Sequence, residues 1–121
     1  MTRERQEFGK EGEDIAVGEL ERRGYEILAR RYRTRYGEID IVASDEGTIV
    51  FIEVKARATA EFGTAAEAVT AQKQRRLASM ATDYLARNDL IDRPCRFDVV
   101  AIDGLGESME ITVYEGAFDV R

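Results

Sequence analysis

The sequence predicts a single α/β domain over residues 1–121: a five-stranded mixed sheet flanked by helices, in the order α-β-β-β-α-β-β. Three observations predict it. A stretch with apolar residues at helical spacing runs up to Gly24. Two alternating apolar runs flank Glu46-Gly47. A second helical stripe ends near Asn88 and gives way, after Pro94, to two more strand-like runs. A hairpin followed by a helical crossover to a further strand needs both antiparallel and parallel neighbours, hence a mixed sheet.

The first helix is expected from Thr2 to Arg23. Thr2 can cap it, Ile15, Ala16 and Leu20 form its apolar stripe, Arg22 and Arg23 suit its last turn, and Gly24 can stop it. "YEILARRY" (Tyr25 to Tyr32) reads as the first strand, and the hairpin strands are expected near Glu38 to Ser44 and Ile49 to Ala56. "RATAEFG" reads as a mobile loop. The long second helix carries Leu77, Met80, Ala81, Tyr84 and Leu85 on its buried stripe. Two starts suit it: Thr64 with Glu67 spells a capping box, and Thr70 is an equally good cap. "RFDVVAID" and "MEITVYEG" are the fourth and fifth strands.

Composition narrows the chemistry. A chain of 121 residues with 44% apolar and 35% charged residues can bury one core. No apolar run approaches the ~18 residues of a membrane span, and the charged start MTRERQEF shows no secretory signal, so a cytoplasmic location is expected. A lone cysteine, Cys95, allows no internal disulfide, and the absence of histidine removes Cys/His zinc sites and Ser-His-Asp triads. Chemistry must therefore rest on carboxylates, lysines, hydroxyls or a hard metal ion. Cys95 itself is expected to be a semi-buried structural thiol.

The hairpin holds the unusual residues. If Glu46-Gly47 forms a two-residue loop, with glycine supplying a positive φ, opposing residues have numbers summing to 93. Asp40 then faces Glu53, and Glu38 faces Lys55, on the face that also carries Val42 and Phe51. The other face takes Ile39, Ile41, Val50, Ile52 and Val54 as core. Like charges directly opposite in a sheet destabilise the pair. Either a bound Mg²⁺ or Mn²⁺ offsets the repulsion, since hard ions take oxygen ligands, or Lys55 neutralises the acids in a salt-bridge cluster. Two further residues point the same way. Glu13 lies on the buried stripe of the first helix, and Lys73, with Gln72 beside it, shares the stripe of the second.

The net charge of −6 opposes a nucleic-acid partner, but the charge is unevenly spread. Residues 98–120 hold six acids and no base. Arg30, Arg31, Arg33 and Arg35 crowd into "RRYRTR", followed by Lys55 and Arg57 and then by "KQRR" from Lys73 to Arg76. A solvated charged face is the ordinary meaning of one such cluster. Here three bracket one candidate site. Aromatic packing is the commoner fate of Tyr32 and Tyr36, with base stacking the alternative. Asp98 reads as a sheet-edge or supporting acid rather than a ligand.

An acid on a hairpin strand, "EVK" on the next and a glutamate on the preceding helix resemble the PD-(D/E)xK nuclease superfamily. The ordered set "GEDIAVGELERRGYEIL", "GEIDIVA", "FIEVKAR", "FGTAAEAV", "KQRRL" and "RFDVVAI" resembles the bacterial YraN-like family of endonuclease-like proteins, which is similar to Holliday-junction resolvases. The match runs from about Phe8 to Asp103.

The resemblance implies a restriction-endonuclease-like fold and metal-dependent hydrolysis of phosphodiester bonds, in branched DNA by analogy with the resolvases. It implies Asp40 and Glu53 as ligands of Mg²⁺ or Mn²⁺, with the Val54 carbonyl as a third. Lys55 would orient or deprotonate the attacking water, and Glu13 would bind a second metal or its waters. Nucleic acid would meet Arg30, Arg31, Arg33, Arg35, Arg57, Gln72, Lys73 and Arg76, and a homodimer is implied by the resolvase likeness alone. Arg31 departs from the family pattern, in which asparagine is usual, and this bears on substrate contacts rather than on the metal site. The rival expectation is a nucleic-acid- or partner-binding module that keeps the fold without useful catalysis.

Overall fold

The computed structural model describes the backbone of residues 3–57, 69–104 and 106–118, and side chains from residue 11 onward within those ranges. The proposed Thr2 cap, most of the "RATAEFG" loop and the Thr64–Glu67 capping box lie outside the described residues.

The first helix, α1 (Arg3–Arg22), is followed by β1 (Glu26–Thr34), β2 (Gly37–Asp45) and β3 (Thr48–Arg57). Next come α2 (Ala71–Arg87), β4 (Cys95–Asp103), a 3₁₀ turn at Gly106–Ser108 and β5 (Glu110–Phe118). The sheet order is β1-β2-β3-β4-β5, with β3 and β4 parallel and the other pairs antiparallel. The predicted α-β-β-β-α-β-β mixed sheet is therefore the observed one, with the helix α2 carrying the chain across to the parallel neighbour. Among the described residues no helix is long and apolar enough to cross a membrane.

Local rules explain the element ends. Gly24, at φ 93°, closes α1 as its N–H bonds to the Glu21 carbonyl and that of Tyr25 to Leu20. This is the paired C-terminal cap that only a left-handed residue permits at low cost. Glu46 (φ 51°) and Gly47 (φ 92°) form the two-residue turn, and the register Ile41↔Ile52, Val42↔Phe51, Asp45↔Thr48 sums to 93 throughout. Thr70 caps α2, its hydroxyl accepting from the Lys73 N–H at 3.2 Å, so the later of the two starts is the real one.

Both faces of the sheet are covered. Ala16 and Leu20 of α1 pack on Ile41, Ala43, Val50, Ile52, Val100 and Ile102. Leu77, Met80, Ala81, Tyr84 and Leu85, the predicted stripe of α2, pack on Val42, Phe51, Phe97 and Val99. Ile39 departs from the expected alternation. It joins the α2 side with Val42 instead of the α1 side with Ile41. Its cross-strand partner Tyr32 and the Val42 partner Ala29 pack on that same α2 side. Between the two pairs stand Arg31, at φ 51°, and Asp40, which have no partners in the β1–β2 register. The ribbon turns at this point, so residues on either side of Asp40 exchange faces and strict period two fails.

Candidate functional site

Paired residues of β2 and β3 run from Asp45↔Thr48 to Ile41↔Ile52 and go no further. Asp40 and Glu53 are the next residues on each strand. The Val54 N–H, which would otherwise need a ladder carbonyl, donates instead to Asp40 Oδ2 at 2.8 Å. A β-strand amide thus pins the aspartate between the strands. Glu53 is one of two buried charged side chains among the described residues.

Two ammonium groups meet Glu53. Lys73 Nζ, from the first turn of α2, lies 2.5 Å from Glu53 Oε1, and Lys55 Nζ lies 3.6 Å from the same oxygen. The fold brings Lys55 and Lys73 onto the Glu53 carboxylate, and Asp40 is the next residue of β2 where the ladder ends. Glu38 is not part of it. It pairs with Arg33 across β1 at 3.1 Å instead of facing Lys55, because the β2–β3 ladder has already ended. Glu13 reaches the site's rim from α1, where Arg31 Nε donates to its Oε1 at 2.9 Å.

Electrostatics here are unbalanced. Burial first, then the neighbouring Glu53 charge, pushes the Asp40 carboxyl up to about 7, and Glu13 adds to the rise. The Val54 N–H and Lys73 oppose it. Burial and the adjacent Lys73 hold the Lys55 ammonium below its ordinary value. Lys73 is shifted the other way: burial disfavours its charge, but contact with Glu53 outweighs that. The Asp40 carboxylate is thus disfavoured chiefly by burial and secondly by the Glu53 charge, and a cation beside it would offset both.

The donor set suits a hard ion with few protein ligands. Mg²⁺ commonly takes one or two carboxylates and completes its shell with waters and phosphate oxygens. A full protein cage is not present: among the described residues, no three acidic or cysteine side chains converge as a ready cation group. Asp40 and Glu53 would have to serve with backbone oxygen and water, and Lys73 would have to give up its place on Glu53.

The predicted basic residues divide by partner. Arg30 pairs with Asp14 and Arg33 with Glu38 at the surface, while Arg31 is exposed but pairs with Glu13, whose side chain is largely buried. The two surface pairs are of a kind that contributes roughly 0–1 kcal/mol. Arg57 is turned onto Asp103 at 3.1 Å, and its Nη2 is buried without a hydrogen bond. Gln72 and Arg76 are exposed on α2, and Arg76 packs beside Gly37. Arg35 leans on the Tyr36 ring at the β1–β2 turn.

One buried polar cluster was not legible in the sequence. Asp98 is fully buried, and it accepts from Arg96 Nε at 3.0 Å, the Tyr25 hydroxyl at 3.1 Å and the Gly116 N–H at 2.9 Å. Arg96 also donates to Asp45 at 2.8 Å and to the Tyr25 hydroxyl at 2.7 Å. Asp98 lies where the β4–β5 register shifts between Phe97 and Val99, so its carboxylate satisfies backbone freed by the irregularity. The only hint was an acid inside the apolar run of "RFDVVAI". Cys95, expected to be semi-buried, is exposed, since it enters β4 directly after Pro94 and before the buried residues begin.

The fold and this cluster define a small α/β protein whose mixed sheet presents two carboxylates and two lysines where β2 parts from β3. The chain belongs to the uncharacterised protein family UPF0102, whose family model matches residues 12–102; this is the YraN-like family. The UPF0102 protein of Syntrophotalea carbinolica is 45% identical over 120 residues, covering 99% of this chain and 98% of the relative. That of Desulfosudis oleivorans is 41% identical over 121 residues, covering 100% and 97%. That of Symbiobacterium thermophilum reaches 53% over 95 residues, or 78% of this chain and 80% of the relative.

Proposed function

We propose that this protein is a divalent-metal-dependent endonuclease that hydrolyses phosphodiester bonds in nucleic acid, with branched DNA the favoured substrate. The observation that carries the proposal is the placement of Asp40 and Glu53 as the next residues where the β2–β3 ladder ends, with the Val54 N–H on Asp40 at 2.8 Å and Lys55 Nζ 3.6 Å from the Glu53 carboxylate. Asp40, Glu53 and the Val54 carbonyl would hold Mg²⁺ or Mn²⁺, with Glu13 at the rim. Such an ion, when bound, supplies Lewis-acid stabilisation and lowers the pKa of water.

The chain's own residues do the rest. Lys55, its proton loosened by burial and by Lys73, is suited to take a proton from water or to donate to the developing phosphate charge. The Val54 N–H keeps Asp40 in place. Arg30, Arg31 and Arg33 exchange their acidic partners for backbone phosphates, which positions a strand without reading its sequence. No histidine is required.

The contact of Lys73 with Glu53 favours a second reading: a nucleic-acid-binding module in which the lysine takes the place of the metal. One experiment separates the two. Branched, flapped and linear DNA are incubated with Mn²⁺ and either the wild type or Lys55→Ala. Cleavage by the wild type alone supports the enzyme. Binding of branched DNA without cleavage by either protein supports the module.

A further inference from the structure

The β1–β2 turn and the outer face of α2 enclose an open groove of about 470 Å³. Thr34, Arg35 and Tyr36 form one wall, and Ser79, Thr82, Asp83 and Arg87 form the other. The two tyrosines of this region have different fates. Tyr32 packs edge-on against Tyr84 with ring centroids 5.0 Å apart and donates its hydroxyl to Asp83. Tyr36 is 43% exposed, one of few large hydrophobic side chains left open among the described residues.

Tyr36 is nonetheless held in place. The Arg35 guanidinium lies 5.0 Å from its ring centroid and donates to its hydroxyl at 2.9 Å. The Tyr36 N–H bonds to Thr34 Oγ1, which in turn donates to the Gly37 carbonyl. Across the groove, Ser79 and Thr82 direct their hydroxyl protons to the carbonyls of Arg75 and Ala78, so their oxygens remain available as acceptors. Arg35 and Arg87 bring two positive charges against the one carboxylate of Asp83, which already accepts from Tyr32 and Arg87. An ordered aromatic face flanked by surplus guanidinium charge and hydroxyl acceptors has the chemistry of a nucleotide subsite.

We propose that this groove binds an unpaired nucleotide, with its base on Tyr36 and its phosphates between Arg35 and Arg87. The proposal rests on the nucleic-acid reading above and adds a substrate class to it: duplexes that carry a single-stranded arm. Position supports this. Asp83 follows Lys73, the residue on Glu53, by ten positions of α2, a distance of about 15 Å at 1.5 Å per residue. That distance corresponds to about four stacked nucleotides at ~3.4 Å each. An arm lodged in the groove would therefore place the duplex end near Asp40 and Glu53.

The test is equilibrium binding in EDTA to a duplex with a short single-stranded arm containing 2-aminopurine, beside the same duplex with blunt ends. Wild type should bind the armed duplex more tightly and quench the probe. Tyr36→Ala should weaken armed binding about 5–150-fold, the usual worth of one stacked base, and leave blunt binding unchanged. Tyr36→Phe should restore it. Equal armed binding by wild type and Tyr36→Ala overturns the proposal, as does an equal loss on both duplexes. A wild type that binds neither duplex overturns it together with the nucleic-acid reading. Cleavage with Mn²⁺ is scored separately: Tyr36-dependent binding without cleavage upholds the subsite and removes the hydrolase, while cleavage with Tyr36-independent binding removes the subsite alone.

Discussion

Lys73 Nζ lies 2.5 Å from Glu53 Oε1, nearer than Lys55, which is 3.6 Å from the same oxygen. The lysine supplied by α2, rather than the one two residues along the strand, is thus the main counter-ion of a buried carboxylate. Helix and sheet are joined electrostatically at the site where a metal ion is proposed.

Removing that lysine leaves Glu53 buried with only the more distant Lys55. Lys73→Met should destabilise the metal-free protein by about 1–3 kcal/mol. This is less than a fully buried broken pair costs, because Lys73 is partly exposed. Urea denaturation in EDTA measures it. A variant as stable as wild type would mean that Lys55 takes over the role.

Asp40 makes the metal-free protein sensitive to pH. Its folded value near 7 lies above the ordinary 3.8, so between about pH 4 and 7 the native state holds a proton that the unfolded chain has released. Stability from this group is therefore greatest below pH 4 and is lost as pH rises through 7, with a slope of at most about 1.4 kcal/mol per pH unit. Denaturation midpoints of wild type and Asp40→Asn, compared across that window in EDTA, should converge at low pH. Parallel curves would show that Asp40 titrates normally.

Divalent ions should reverse the penalty. Millimolar Mn²⁺ or Mg²⁺ should raise the wild-type Tm, more at pH 8 than at pH 6, because a carboxylate must be free to bind. Saturation 100-fold above Kd corresponds to about 2.7 kcal/mol. An Asp40→Asn/Glu53→Gln double variant should show no shift. The same shift in both proteins would place the ion elsewhere.

The Tyr25–Arg96–Asp98 cluster should matter for stability but not for metal binding. Tyr25→Phe deletes a hydroxyl bonded to both Asp98 and Arg96 and should cost about 1–2 kcal/mol. Asp98→Ala strands Arg96 and the Gly116 N–H and should cost about 3–5 kcal/mol. Both are read by urea denaturation, with the Mn²⁺-induced Tm shift of Tyr25→Phe expected to equal that of wild type. A smaller shift would tie the cluster to the metal site.

Some of this was decided by sequence alone. Gly24 ends α1, Thr70 is one of two caps the sequence offered for α2, and Glu46-Gly47 sets the register that runs from Asp45↔Thr48 to Ile41↔Ile52, up to Asp40 and Glu53. Each depends on a few neighbouring residues and their permitted backbone angles, so short-range rules suffice. The five buried residues of α2 follow equally from helical spacing. Tertiary structure decided the rest. Period two could not foresee that β1 and β2 turn at Arg31 and Asp40, which moves Ile39 to the α2 face. Spacing also could not choose between Lys55 and Lys73 as the partner of Glu53, or pair Arg30, Arg31 and Arg33 with Asp14, Glu13 and Glu38. Tyr25 and Asp98 stand 73 residues apart and meet only because β4 returns beside β3. A charge chooses its partner by distance in the folded protein, and for these residues that distance is set by packing across the sheet rather than by position along the chain.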